Sequence, residues 1–189
     1  MAGYSLTEPA QLRSAMPDDI PFMASLHAET WREVYCNFIP APIITLRDET
    51  YRTDYWREAL TDGRRGPDFS ATIAESGGRK LGFCYALPGE DGEAGGEIES
   101  LFLAAEARGR GIGRALVIDA CHWFTALRLA PIVIWAFEEN PYRRFYETLG
   151  GDPAKRCRDS FPTGDTVPVI GYFWRDAATL RAAAERGRA

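Results

Sequence analysis

The sequence predicts a mixed α/β domain, a sheet with helices on both faces, and three observations carry that prediction. FSATIAES and KLGFCYAL, on either side of Gly77 and Gly78, read as an antiparallel hairpin. A glycine-rich turn, ARGRGIG, stands between the strand-like EIESLFL and a segment of helical periodicity. PIVIWAF is a continuous apolar run of the buried-strand kind, and ENPYRRFYETLGG after it carries short-helix signals.

Taken in order, residues 10–15 are expected as a short first strand. Over 17–35, Ile20, Met23, Ala24, His27 and Trp31 recur at three- and four-residue steps, which predicts a helix. Asp18 and Asp19 near its start suit the positive end of the dipole. Pro40 and Pro42 break the chain before a second helix at about 46–60, with Tyr51, Tyr55 and Trp56. The hairpin follows, then PGEDGEAGGE, a polar surface loop. Beyond EIESLFL and the glycine turn, Ile112, Leu116, Ala120, Phe124 and Leu127 mark one helix face. After PIVIWAF, Asn140 is placed to cap a helix that opens on Pro141 and ends at Gly150. TVPVIGYFW is a last strand, and AATLRAAAERGRA a terminal helix expected to fray. The order is strand, two helices, three strands, helix, strand, helix, then one or two strands.

The length suits one domain over 1–189, with a core at about 10–175 and a helical tail at 176–189. Hydrophobic residues at 46% and charged ones at 26% exclude a disordered or fibrous chain. No apolar run approaches the roughly 20 residues of a membrane span, so no membrane partner is expected. The N-terminus lacks the basic-then-apolar order of a secretory signal. Cys36, Cys84, Cys121 and Cys157 are far apart with no CxxC pair, which points to reduced thiols in the cytoplasm and to no metal. A net charge of −5 argues against nucleic acid and mildly favours a cationic partner. The arginines near residue 110 are thus a local feature.

Residues 108–114 hold three arginines and three glycines. Between a strand and a helix, such a turn exposes unpaired N–H groups at the positive end of the helix dipole. Gly109, Gly111 and Gly113 let a phosphate approach them, and Arg108, Arg110 and Arg114 add charge-assisted bonds. The turn reads as a diphosphate cradle or as an exposed loop with solvated arginines. The Walker pattern fails for want of a lysine, and GxGxxG fails because Arg114 or Leu116 stands at its third glycine.

What fits is R-x-x-G-x-G, at Arg108, Gly111 and Gly113, following LFLAAEA. This resembles the acetyl-CoA motif of the GNAT superfamily of N-acetyltransferases. GEIESLFL resembles the family's fourth strand, and IVIWAFEENPYRRFYETLGG its fifth strand and following helix. Trp31-x-x-x-Tyr35 and then Ile39-Pro40 are similar to a common bacterial GNAT opening. Two positions depart from the pattern. Ala105 stands for the usual proline, and Asn140 to Tyr146 is one residue shorter than in many members. The resemblance implies a central, mostly antiparallel sheet of six or seven strands, with the fourth and fifth splayed.

It also implies a direct attack by an amine, of a small molecule or a peptide, on acetyl-CoA, with no metal. A homodimer would be in keeping with many relatives. A non-catalytic acyl-CoA sensor is the alternative. Backbone groups of Leu101 and Leu103 would pair with the pantetheine arm, an N–H near Leu101 or Phe102 would polarise the thioester, and the loop, Ile112 included, would hold the diphosphate. Asn140 and Arg143 would add contacts to coenzyme A; a solvated helix face is the other reading of Arg143 and Arg144. Tyr146 matches the tyrosine that protonates the departing thiolate. A phenol giving its proton to a thiolate is uphill by only about 2 kcal/mol. An ammonium giving its proton to a glutamate is uphill by roughly 8 kcal/mol, so a base must be raised or work through water. Glu97 is the first candidate and Glu99, on the same strand face, the second; both also read as edge carboxylates facing solvent. Trp31 and Tyr35, one turn apart, line the acceptor pocket or pack in the core. His27 and His122 read as packed or surface imidazoles, and nothing beside Cys157 suggests an activated thiol.

Overall fold

The computed structural model describes residues 9–61, 68–89, 92 and 94–187. Its strands are β1 (Gln11–Ser14), β2 (Ser70–Ser76), β3 (Arg79–Pro88), β4 (Gly96–Leu103), β5 (Ile132–Phe137), β6 (Asp152–Ser160) and β7 (Thr166–Trp174). They form one sheet in the order β1-β2-β3-β4-β5-β7-β6, antiparallel throughout except for β4 beside β5. The helices are α1 (Ile20–Glu33), α2 (Ala41–Leu46), α3 (Glu49–Leu60), α4 (Ile112–Leu127), α5 (Arg144–Thr148) and α6 (Ala177–Arg186). The mixed sheet expected from the sequence, with helices on both faces, is what forms.

Alternation along the central strands sorts two cores. Ile73, Phe83, Tyr85 and Leu87 cluster with Met23 and Ala24 of α1 and with Trp56 of α3. Ala74, Cys84, Ala86 and Ile98, one residue out of step, cluster with Leu116, Val117, Ala120 and Phe124 of α4. Leu81 joins them because a bulge at the β2–β3 register shift turns it to that face. At about 1.5–3 kcal/mol for each large apolar side chain buried, these two faces dominate the stabilisation. A third cluster of Trp31, Ile39, Ile43, Phe161 and Val167 joins the end of α1 and α2 to the β6–β7 hairpin.

Four differences from the sequence reading have physical reasons. The helix expected at 46–60 forms as α3 from Glu49, where the Asp48 carboxylate accepts from the Tyr51 N–H at 2.9 Å. The additional α2 occupies Ala41–Leu46, with Pro42 in its first turn, where the prolines were expected only to break the chain. The open question of a further strand is settled by β6, an almost wholly exposed edge strand held by β7. The terminal helix does not fray over 177–186. Leu180, Ala183 and Ala184 are buried, and the Arg114 guanidinium donates to the Ala183 carbonyl at 3.1 Å, clamping α6 to α4. The polar loop expected over 88–97 gives way to β4 at Gly96, while residues 90, 91 and 93, like 188–189 of the tail, lie outside the described residues. Because Leu180 is fully buried between α4 and the sheet, Leu180→Ala is expected to cost about 2–4 kcal/mol, read as a lowered urea midpoint.

The start of α1 is pinned by a buried carboxylate. Asp19 accepts a two-pronged bond from Arg13 of β1, at 2.7 and 2.9 Å, and pairs with Lys80 of β3 at 2.6 Å. It also accepts from the Met16 N–H at 2.8 Å, and Arg13 reaches Glu75 of β2 at 3.0 Å. These bonds tie the first strand, the first helix and the hairpin at one corner.

Candidate active site

Strands β4 and β5 pair only at Gly96 with Ile132 and Glu97 with Val133. Beyond that point they diverge, so the rest of β4 has an edge turned away from any strand partner in β5. The divergence opens two cavities that share Tyr35, Leu101, Phe102, Asn140 and Tyr146 as a common wall.

The larger, about 450 Å³, runs to the glycine turn. Gly109 and Gly111 have φ of 71° and 76°, a region costly for residues with a Cβ. A Cβ on Gly113 would lie 3.3 Å from the Leu103 side chain, so this glycine lets α4 start close against β4. Gly111 caps α4, and the first N–H groups of a sixteen-residue helix face this end of the cavity. Gly109, Gly111, Gly113, Arg108 and Arg114 all line it. Arg108 is held by the Leu103 carbonyl at 3.2 Å and the Tyr142 hydroxyl at 2.8 Å, and Arg114 by Ala183 and Thr148. Both guanidinium groups are therefore fixed in place at the cavity wall. The Leu103 carbonyl accepts from Arg108 and keeps its second lone pair for another donor.

Asn140 caps the turn after β5, its Oδ1 accepting from the Tyr142 N–H at 2.9 Å, as its position before Pro141 predicts. Its amide nitrogen points to the Tyr35 hydroxyl at 3.5 Å. Tyr146, on α5, stands in the wall between the cavities. Burial pushes its phenol well above the ordinary range, with Tyr35, Cys84 and Tyr172 adding in the same direction, so it stays protonated and is a donor. Tyr35 is raised to about 12, by burial first and against the charges of Arg52 and Arg108.

The smaller cavity, about 280 Å³, lies on the α1–α3 face of the sheet. A β-bulge in β4 shapes it: Tyr85 faces Ser100 and Ala86 faces Ile98, which leaves Glu99 as the extra residue. As a result Glu99 and Ser100, consecutive in sequence, both line this cavity. The Tyr55 hydroxyl of α3 donates to the Glu99 carboxylate. Glu97 sits one step back, where β4 and β5 still pair, and lines neither cavity. Trp31 and Tyr35 do line the smaller cavity, their rings 5.4 Å apart. So does His27, packed on Phe102 at 4.3 Å; burial, then Arg52 and Arg47, holds it neutral.

Sequence reasoning missed Arg47, Arg52, Asp159 and Phe161, which also line this cavity. Arg52 is 4% exposed and lies over the Trp31 ring at 4.5 Å. Burial lowers its pKa to about 9, helped by Arg47, and it remains a cation at neutral pH. Burial also lowers Arg47 and raises Asp159. The signal that could have found Arg52 is an arginine on the buried face of an aromatic helix, one turn before Trp56. Arg110, Ile112 and Arg143 are not in either wall. Ile112 is a core residue, and Arg143 is engaged by the Glu138 carbonyl, Glu147 and the Tyr172 hydroxyl. His122 and Cys157 are exposed and apart from the cavities, while Cys84 and Cys121 are buried with thiols raised by burial. Among the described residues no group of three or more His, Cys, Asp or Glu is placed to hold a metal, and no helix is long and apolar enough to cross a membrane.

Comparison with known proteins agrees with this architecture. The profile of the acetyltransferase (GNAT) family matches residues 26–150. The uncharacterised N-acetyltransferase YuaI of Bacillus subtilis is 24% identical over 173 residues, covering 90% of this chain and 95% of that protein. The probable N-acetyltransferase Rv2775 of Mycobacterium tuberculosis is 27% identical over 165 residues, covering 86% and 91%. In three dimensions the PaiA N-acetyltransferase of Thermoplasma acidophilum, solved in complex with coenzyme A, overlays with a TM-score of 0.64 at 14% identity, covering 85% and 98%. The chain therefore belongs to the GNAT acetyltransferase family and is an acetyl-CoA-dependent N-acetyltransferase.

Proposed function

We propose that the larger cavity takes acetyl-CoA, the smaller takes the acceptor, and the amine attacks the thioester directly where the two cavities meet. The observation that carries this reading is their shared wall, with Tyr146 and the open edge of β4 between them. The diphosphate lies against the glycine turn and the start of α4, with Arg108 and Arg114 beside it. The pantetheine arm runs along β4 at 101–103, and a backbone N–H near Leu101 or Phe102 bonds the carbonyl oxygen as it gains charge. Asn140 orients this region through Tyr35.

Glu99 is the proposed base. It faces the acceptor cavity and Tyr55 fixes its carboxylate, whereas Glu97 lies outside both walls. As the ammonium group loses its proton to Glu99, directly or through water, the free amine adds to the carbonyl carbon. Collapse of the intermediate breaks the carbon–sulfur bond, and Tyr146 hands its proton to the leaving sulfur. The second proton still held by the former amine nitrogen passes, directly or through water, to the Tyr146 oxygen, leaving a neutral amide and a restored phenol. The test is calorimetry with acetyl-CoA followed by a free-thiol assay. Glu99→Gln is expected to lower kcat/KM about 10²-fold, with Glu97→Gln near the parent value. The reverse ranking would move the base to Glu97, and no heat on adding acetyl-CoA would overturn the reading.

A further inference from the structure

The buried guanidinium of Arg52 is unusual for an acceptor cavity. It comes from the middle of α3, is 4% exposed, and lines the smaller cavity. Its Nε and Nη2 are both shut off from solvent and have no hydrogen-bond partner among the described residues. Its near neighbours are aromatic: Trp31 at 4.5 Å, Tyr51 at 5.4 Å and Tyr55 at 5.9 Å from its central carbon. Ring faces attract a cation but accept no strong hydrogen bond in the guanidinium plane. A charged donor left this way costs several kcal/mol, so it persists where something else repays it. The Glu99 carboxylate offsets part of this through space, while Arg47 brings a second cation to the same cavity.

We infer that the acceptor is an amine that also carries an oxyanion, a carboxylate or phosphonate, seated against the Arg52 guanidinium with Arg47 beside it, a small turn of the Arg52 side chain bringing its sequestered donors to the ligand. The two in-plane donors of a guanidinium match the two oxygens of such a group. The Glu99 carboxylate lines the same cavity and is held by Tyr55, whose ring also lies beside Arg52. The cavity thus has an anionic feature for an ammonium group and a cationic one for an oxyanion, which suits a zwitterion. The chain-wide charge of −5, which by itself favours a cationic partner, does not describe this interior. The inference rests on the acyl-transfer reading and narrows its substrate.

The experiment compares three matched sets with acetyl-CoA by free-thiol release: amino acids, the same amines lacking the carboxylate, and the aminophosphonic acids of the same skeletons. The oxyanion-bearing amines are expected to exceed the plain amines about 10²-fold in kcat/KM, and the better of the two sets names the oxyanion. Arg52→Met is expected to raise KM for the preferred substrate at least about tenfold, with acetyl-CoA affinity unchanged and the melting temperature equal or higher, since an unpaired buried charge is removed. Arg52→Lys, which keeps the charge and loses the fork, is expected to fall between. Plain amines used as well as their acids, an unchanged KM in Arg52→Met, or no turnover in any set by protein that binds acetyl-CoA would overturn the inference. Failure to bind acetyl-CoA would instead strike the acyl-transfer reading beneath it.

Discussion

Replacing Tyr146 with phenylalanine is expected to lower kcat about 10²–10³-fold while acetyl-CoA affinity stays at the parent value. The change removes one hydroxyl from the wall between the cavities and leaves the ring that packs at 5.6 Å on Tyr172. From free groups, proton transfer from phenol to thiolate is uphill by about 2 kcal/mol. Burial raises the Tyr146 phenol and would widen that gap. On the proposed reading the leaving thiolate forms beside this buried phenol, and desolvation there raises its proton affinity too. The hydroxyl therefore matters most as the bond to sulfur breaks, and its loss belongs in kcat rather than in binding. Calorimetry for affinity and a thiol assay for turnover separate the two. A variant that turned over normally would assign the acid role elsewhere.

Asp19→Asn is expected to destabilise the fold by about 2–3 kcal/mol. Breaking a buried ion pair costs about 3–5 kcal/mol, and the lower figure applies here because Arg13 and Lys80 are 35% and 28% exposed beside an Asp19 that is 3% exposed. The hydrogen bonds from Arg13 hold the Asp19 carboxyl well below the usual carboxylate range, against the opposing effect of burial, and Lys80 and the Met16 N–H add to them. A carboxyl depressed in the folded state contributes its full stability above the unfolded pKa of about 3.9 and loses it as pH falls further. Urea unfolding from pH 6 down to pH 2 is thus expected to show a steep loss below about pH 4 that is flatter in Asp19→Asn. Parallel curves for the two proteins would show that the acid loss arises at other carboxylates.

The sheet, the glycine turn and the family were legible because their signals are local. The hairpin, the glycine turn and the Asn140-Pro141 helix start are each written within a dozen residues. Strand β6 was not, since DPAKRCRDS has neither apolar alternation nor a run of β-branched residues; it forms because β7 offers it an edge, and its charges protect the outer side. The choice between the two candidate glutamates was harder still. Strict alternation places Glu97 and Glu99 on one face and leaves them equal, and only the bulge opposite Tyr85 and Ala86 and the divergence of β5 distinguish them. Arg47, Arg52 and Asp159 lie on different elements and carry no spacing rule, so nothing short of the folded chain brings them to one cavity.

For anyone wishing to retool the enzyme, the common wall divides the residues into two groups. Tyr35, Asn140 and Tyr146 border both cavities, so on the proposed reading a change made there to admit a new amine also disturbs the thioester partner. Arg47, Arg52 and Phe161 border the smaller cavity alone, and on the same reading a library confined to them would alter selectivity while sparing the cofactor's grip.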